Sequence, residues 1–326
     1  MKVHFDGLGL DLDARSGPNV FAKRLARAFF ESGHEVVFES SGADVSLVFI
    51  EASGRALVFD HIVQRLDGIW FSPRDFYTKN NGIKSLYEQA DAVVYQSTFD
   101  QKMITKWWGH PGHRSLTQTT LCEVIHNGVQ LAPVTQLTIA PLFDLRSRYK
   151  MMFATSSNWH PQKRLDANIA AFKHIRSTLE SSSCLIVLGQ NAPVTADPDI
   201  YYTGSQPSDV CDEVYAASDW MLHLAWLDHC PNVVVEALAQ GTPVICSNSG
   251  GTRELVSGFG LVLDEEVEYD FQLIDYDSPP PIDVRQITSL PGREKLGPSA
   301  DISVKITSMR YIDLFKRIID LKGKET

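Results

Sequence analysis

The stretch HLAWLDHCPNVVVEALAQGTPVICSNSGGTRELVS, residues 223–257, restricts the possible folds more than any other part of the chain. An apolar run ends at a carboxylate, Asp228. A Pro-Asn step at Pro231 and Asn232 then opens a helix carrying a second carboxylate, Glu236. A further apolar run from Pro243 to Cys246 ends in the turn Ser249-Gly250-Gly251-Thr252. Proline in a first helical turn, flanked by short apolar runs, gives the strand, loop, helix, strand order of a parallel sheet. In open sheets of this kind ligands sit at the carboxyl ends of the strands, where helix N-termini favour anions. Asp228, in the loop, and Glu236, about one turn into the helix, can both point to that edge. The glycine turn lets bare backbone N–H groups approach a phosphate, with Arg253 and Glu254 opening the next helix. Carboxylates so placed are expected to hold sugar or ribose hydroxyls.

The same alternation runs through most of the chain, so the expected class is α/β with parallel sheets covered on both faces. Strands are predicted near 2–8, 34–39, 45–50, 56–59, 92–96 and 121–125, with helices near 18–32, 82–89 and 97–107. A second unit follows. Its expected strands are 150–155, 183–188, 200–203, 219–224, 243–246 and 259–263, and its helices are 164–180, 207–217 and 232–240. The expected domains are residues 1–130, a linker over 131–149, a second domain over 150–300, and a terminal helix over 301–326. Length supports two domains, since 326 residues with 44% hydrophobic content suit two medium cores better than one. Residues 129–149 carry two prolines and show neither periodicity, as a linker would. Residues 264–299 hold nine acids, three basic residues and five prolines, and read as an extended surface excursion rather than a lid. In the terminal helix, capped by Asp301, the residues Ile302, Ile306, Met309, Ile312, Phe315 and Ile319 recur at helical spacing and are expected to be core.

A formal net charge of -10 argues against a nucleic-acid partner, which needs a basic surface. Local basic groups remain around Lys102, Lys106 and Arg114. The five cysteines, at 122, 184, 211, 230 and 246, form no C-x-x-C pair and read as reduced thiols. No signal peptide precedes the first strand, and no apolar run approaches the roughly 18 residues of a membrane span, so a cytoplasmic location is expected. Trp107-Trp108 is the only segment that invites peripheral membrane contact, and paired aromatics at a helix end are more often packing.

The segment DHCPNVVVEALAQGTPV resembles the retaining GT-B glycosyltransferases of family 4, whose signature is Glu, seven residues, Glu, and whose members read like EGFPNVVLEAMACGTPV before a Gly-Gly turn. Asp228 stands where the family has its first Glu. The resemblance extends to MKVHFDGLGL and SGPNVFAKRLARAFFESGHEVVF, to ADAVVYQSTFDQKMI, to the hinge-like Ile125 to Val129, and to SSNWHPQKRLDANIAAF, covering residues 1 to about 265. It implies two Rossmann-like domains facing a central cleft, with a C-terminal helix crossing back to the first. It also implies transfer of a sugar, with retention, from a nucleotide-diphosphate donor to a hydroxyl of a glycan, lipid-linked or small-molecule acceptor. Neither a cofactor nor a metal is expected. The alternatives weighed are a catalytically silent nucleotide-sugar-binding protein and a GT-B nucleotide-sugar 2-epimerase.

Individual residues follow from that resemblance. Lys163 is expected to clamp the donor diphosphate. Asn158 occupies the place of the usual Arg partner, and Arg164 is a candidate substitute. Glu236 would hold ribose, Asp228 the sugar, and Gly250, Gly251 and Thr252 the phosphates, with His229 and Asn232 beside them. Gly17 is the loop glycine for phosphate or acceptor, its alternative being a simple turn. In place of a catalytic His the first domain offers Arg65 and Asp67, within HIVQRLDGIWF; the bland alternative is an ion pair that shapes the loop. Gly7-x-Gly9 is not a dinucleotide fingerprint, because Leu12 stands where the third glycine would fall. His110 and His113 lack the acid or Cys neighbours of a zinc site.

Overall fold

Short apolar strands joined by helices give two all-parallel, six-stranded sheets in the computed structural model. It describes the whole chain except residues 15, 40–41, 55–58, 113–118, 257, 292–301 and 324–326. The chain divides into two units. Unit 1 comprises Met1–Gln130, Phe271–Ile274 and Asp301–Thr326, and unit 2 comprises Leu131–Asp270 and Asp275–Ala300.

In unit 1 the strands β1 (Lys2–Asp6), β2 (Glu35–Val37), β3 (Val45–Phe49), β4 (Ile62–Leu66), β5 (Ala92–Tyr95) and β6 (Leu121–Val124) pair in the order β2-β1-β3-β4-β5-β6. The register sets Phe5 beside Leu47 and Phe49 beside Arg65. Helix α1 (Gly17–Glu31) starts with Pro18 in its first turn and buries Phe21, Leu25, Ala28 and Phe29 at helical spacing. Between β4 and β5 lie α2 (Phe76–Lys79) and α3 (Asn81–Tyr87), and after β5 comes α4 (Thr98–Trp108). Ser97 caps α4 by accepting from the Asp100 amide at 3.1 Å.

The terminal helix, here α10 (Val304–Gly323), packs on α1, bringing Phe315 to 6.0 Å from Phe29 and Tyr311 to 6.5 Å from Phe21, ring to ring. Its start is pinned by two backbone bonds, Val129 N to Ile302 O and Val304 N to Val129 O, both 2.8 Å. Gly128 is required there, since a Cβ would come within 2.6 Å of Val304 Cα. The buried stripe is Val304, Thr307, Ser308, Tyr311, Ile312, Leu314, Phe315 and Ile318. Met309, expected in the core, is instead 60% exposed, because the face is turned by the packing of Tyr311 and Leu314. The cap expected at Asp301 lies outside the described residues.

Two further expectations are corrected. The fourth strand of the sheet is Ile62–Leu66; of the strand expected at 56–59, residues 56–58 lie outside the described residues and Phe59 is not in a strand. The segment read as a plain linker holds α5 (Ala140–Arg148), which carries Pro141 in its first turn and buries Leu142 and Leu145. Two buried leucines in nine residues are too few to show a period. Trp107 and Trp108 are packing residues in unit 1. The Trp107 indole donates to Phe271 O at 2.9 Å and its ring lies 5.0 Å from Phe76, while the Trp108 ring is 5.3 Å from Tyr87.

Unit 2 has the strands β7 (Met151–Ser156), β8 (Ser183–Leu188), β9 (Ile200–Gly204), β10 (Trp220–His223), β11 (Val244–Ser247) and β12 (Gly260–Leu263), ordered β12-β11-β10-β7-β8-β9. The connecting helices are α6 (Leu165–Thr178), α7 (Ser208–Ala217), α8 (Asn232–Ala239) and α9 (Thr252–Val256). Phe153, Phe172, Leu185, Trp220, Leu222 and Ile245 form the core under α6. Its central strands are buried on both faces, and so β7, β8, β10 and β11 carry nearly continuous apolar runs. All five cysteines are free thiols. Among the described residues no helix is long and apolar enough to cross a membrane.

Candidate functional site

The carboxyl ends of β7, β10 and β11 in unit 2 carry three loops. The first, Ser157–Arg164, includes a 3-10 turn at Pro161–Lys163. It delivers Lys163 to the loop after β10, where Lys163 Nζ lies 2.6 Å from Asp228 Oδ2. His223, the last residue of β10, places its Nε2 3.2 Å from the same oxygen. One carboxylate oxygen thus gathers an ammonium and an imidazole. Both acid and lysine are mostly buried, at 13% and 22% side-chain exposure. Burial raises the Asp228 pKa, but the Lys163 charge and the His223 hydrogen bond outweigh it and hold the carboxyl well below the usual carboxylate range.

The third loop, after β11, braces this group. Gly250 has φ +82°, and a Cβ there would come within 2.7 Å of Asp228 N, so the backbones of the two loops touch. Gly251 N donates to Asp228 O at 2.7 Å. This corrects the expectation for the glycine turn: the Gly251 amide serves Asp228 rather than standing open to a phosphate. Thr252 opens α9 with its side chain buried.

Glu236 lies in the second turn of α8, half-buried, and Asn232 is the first residue of that helix. The negative charge of Glu236 acts on two neighbours from α7. The Cys211 thiol is pushed up to about 12, first by burial and then by Glu236, and the fully buried Tyr215 hydroxyl is raised for the same two reasons in the same order. His229 is half-buried beside Asp228 in the chain. Asn158 is exposed and accepts from Asn191 Nδ2 at 2.9 Å.

Arg164 does not join Lys163. It is 2% exposed and turned inward, bidentate on Glu265 at 2.7 and 3.0 Å and donating to Pro280 O at 2.7 Å. The candidate diphosphate clamp therefore keeps Lys163 without Arg164. Part of the acidic segment after β12 is consequently interior structure, with Glu265 as its anchor.

Arg65, Asp67 and Gly17 belong to unit 1. Arg65 is the penultimate residue of β4 and only 1% exposed, with its guanidinium over the Phe21 ring at 4.3 Å. It pairs with Asp67 and donates to Asn127 Oδ1 at 2.7 Å. This is the geometry of the loop-shaping ion pair. Gly17 is the first residue of α1, next to a cavity of about 130 Å³ lined by Leu8, Leu10, Ser16, Pro18, Asn19 and Phe49.

Sequence reasoning missed His223 and Glu265. A polar residue closing the apolar run Trp220-Met221-Leu222, five positions before Asp228, was the available signal for the first. Nothing local marks Glu265, whose partner is about a hundred residues away.

Two Rossmann-like units with these sheet orders define the GT-B fold of glycosyltransferases. Residues 148–270, which hold Lys163, His223, Asp228, Glu236 and the glycine turn, match the family described as Glycosyl transferases group 1. The O-antigen chain mannosyltransferase B of Escherichia coli is 23% identical over 196 residues, 56% of this chain and 50% of that protein. The chain thus spans about half the length of that curated relative. Among solved structures, the sucrose-phosphate synthase of Thermosynechococcus elongatus superposes with a TM-score of 0.63 at 13% identity, covering 99% of this chain and 97% of that one. The Anabaena protein HepE, solved in complex with UDP-glucose, superposes with a TM-score of 0.61 at 15% identity, covering 99% of both. At such identities the likeness is one of fold.

Proposed function

We propose that this protein is a glycosyltransferase that moves a sugar from a nucleotide-diphosphate donor to an acceptor hydroxyl, with retained configuration and without a required metal. The observation that carries the reading is the Lys163 to Asp228 ion pair, braced by Gly250 and Gly251 inside the family-matched segment. As the bond from the anomeric carbon to the diphosphate oxygen breaks, charge grows on the leaving group, and a bond to the acceptor oxygen forms as its proton passes to the leaving oxygen. An ammonium in a mostly buried site is worth far more against that charge than one in water. Lys163 supplies it by turning from Asp228 to the diphosphate. With the Lys163 charge and the His223 hydrogen bond beside it Asp228 is held as a carboxylate, and its Oδ1, which takes neither contact described above, would accept from a sugar hydroxyl. Glu236, from the second turn of α8, would hold the ribose. Acceptors of the glycan, lipid-linked or small-molecule kind are compatible with the reading, and the cavity beside Gly17 is the feature of unit 1 we assign to the phosphate or acceptor side.

The test is binding of UDP, GDP and ADP and their common sugar conjugates, followed by thermal shift, since a ligand at a hundred times its Kd stabilises by about 2.7 kcal/mol. Stabilisation by one nucleotide, lost in Glu236→Ala while the unliganded melting temperature is kept, is the expected result. A Glu236→Ala protein that binds and turns over as well as the parent would remove Glu236 from the site.

A further inference from the structure

Arg164 and Glu265 form a desolvated ion pair that the donor site does not use directly, at 2% and 5% side-chain exposure. We propose that this pair positions the diphosphate clamp, fixing Lys163 from one side and the Asp228 loop from the other; the inference rests on the nucleotide-sugar reading above.

On the first side, Arg164 follows Lys163 directly and sits in the left-handed region, φ 48° and ψ 52°, where the 3-10 turn passes into α6. A non-glycine residue keeps such a conformation only when its surroundings hold it there. Its side chain supplies the hold, through both Glu265 oxygens, Pro280 O at 2.7 Å and Leu224 O at 3.4 Å. On the second side, Glu265 Oε1 accepts from Ser247 Oγ, which contacts Ser249 Oγ at 2.6 Å. The Ser249 hydroxyl accepts from Leu227 N at 3.4 Å, and the Ser249 amide donates to Ser247 Oγ at 2.9 Å. Leu227 precedes Asp228 and Ser249 precedes Gly250. A chain of hydrogen bonds therefore runs from the residue beside the lysine to the residues beside its carboxylate partner. Apolar packing would avoid the desolvation cost that a buried pair carries. What it lacks is the planar two-point geometry by which a guanidinium fixes a carboxylate in one orientation.

The experiment compares the wild type with Arg164→Met/Glu265→Leu, which removes both charges together and leaves neither buried alone. Three readouts are taken: amide exchange at Leu227 and Gly251 without ligand, affinity for UDP, GDP and ADP each beside its own nucleoside, and the same affinities in a Lys163→Ala background. The expected result is exchange at least ten-fold faster at those two amides. Affinity for the bound diphosphate should fall about ten-fold with nucleoside affinity unchanged, and no further diphosphate loss should appear once Lys163 is gone. Arg164→Lys, which keeps the charge without the planar two-point fork, should recover part of the affinity. Unchanged exchange, or equal losses for nucleoside and diphosphate, or losses that add to that of Lys163→Ala, would overturn the proposal. If the wild type binds none of the three diphosphates, the donor-site reading fails, and the positioning role stands or falls on the exchange result alone. Should the double variant not fold, Glu265→Gln, which keeps the shape and weakens the pair, is read against the same criteria.

Discussion

Replacing Asp228 by Asn should both destabilise unit 2 and abolish tight diphosphate binding, with a size that follows from the geometry. The carboxylate accepts from Lys163 at 2.6 Å and from His223 at 3.2 Å. Hydrogen bonds to charged groups contribute about 1.5–3 kcal/mol each. Lys163 is 22% exposed and partly rehydrates when its partner goes, so the net loss is placed at about 2–3 kcal/mol rather than the sum. At about 2–4 °C per kcal/mol for a unit of this size, the unit 2 transition should fall by about 4–12 °C at pH 7. Calorimetry suits the measurement, because two units need not melt together. The pH dependence has a definite sign. The folded pKa of Asp228 lies below its unfolded value of about 3.9, so its stabilisation is complete above about pH 5 and is lost as pH falls through and below 3.9. Each pH unit inside that window removes about 1.4 kcal/mol. The gap between wild type and Asp228→Asn should be constant from pH 7 to 5 and narrow below pH 4. A gap under 1 °C at pH 7, or one that widens on acidification, would refute the ion-pair account.

Two further outcomes are expected. Gly250→Ala should destabilise by more than the roughly 1 kcal/mol of a positive φ, and weaken nucleotide binding, because its Cβ meets the Asp228 backbone. Gly241→Ala, at φ +69° with open space around its Cβ, should show the φ cost alone, so equal losses in the two variants would contradict the packing argument. Arg65→Ala should cost about 3–5 kcal/mol in unit 1, since it leaves Asp67 and Asn127 without their buried partner, and should leave diphosphate affinity intact. Lost turnover with unchanged stability would instead restore a catalytic role to Arg65.

The element pattern of unit 2 was largely legible in the sequence. Strands 183–188 and 200–204 and helices 165–178 and 232–239 fall within two residues of expectation, because continuous apolar runs bounded by Gly and Pro leave little choice. The misses have physical causes. Residues 56–59 are as apolar as a strand, yet the ladder beside Val45–Phe49 is filled by Ile62–Leu66, whose central Gln64 and Arg65 make it look polar. Gln64 donates from Nε2 to Ile50 O and Ile83 O, and Arg65 donates to Asp67 and Asn127, partners that let both side chains be buried. Helix Ala140–Arg148 was invisible because its few buried side chains do not repeat. Met309 was assigned to the wrong face because helical spacing gives a stripe but not which of two overlapping stripes meets a neighbour.

For the site, the chain order alone brought Lys163, Asp228 and the glycine turn into loops at one sheet edge, with Glu236 in the helix that follows the Asp228 loop. Residue type and spacing determine that much, since a strand-loop-helix repeat sends every such loop to the same edge. Whether Arg164 faces a ligand or the interior, whether Gly251 keeps its amide for Asp228, and whether His223 touches the carboxylate depend on segments far apart in sequence meeting in space. Local sequence carries no record of a partner like Glu265. The alternation of apolar runs determined the fold of this protein, and tertiary packing decided which of its charged side chains meet each other, because an ion pair is specified by distance and burial rather than by position along the chain.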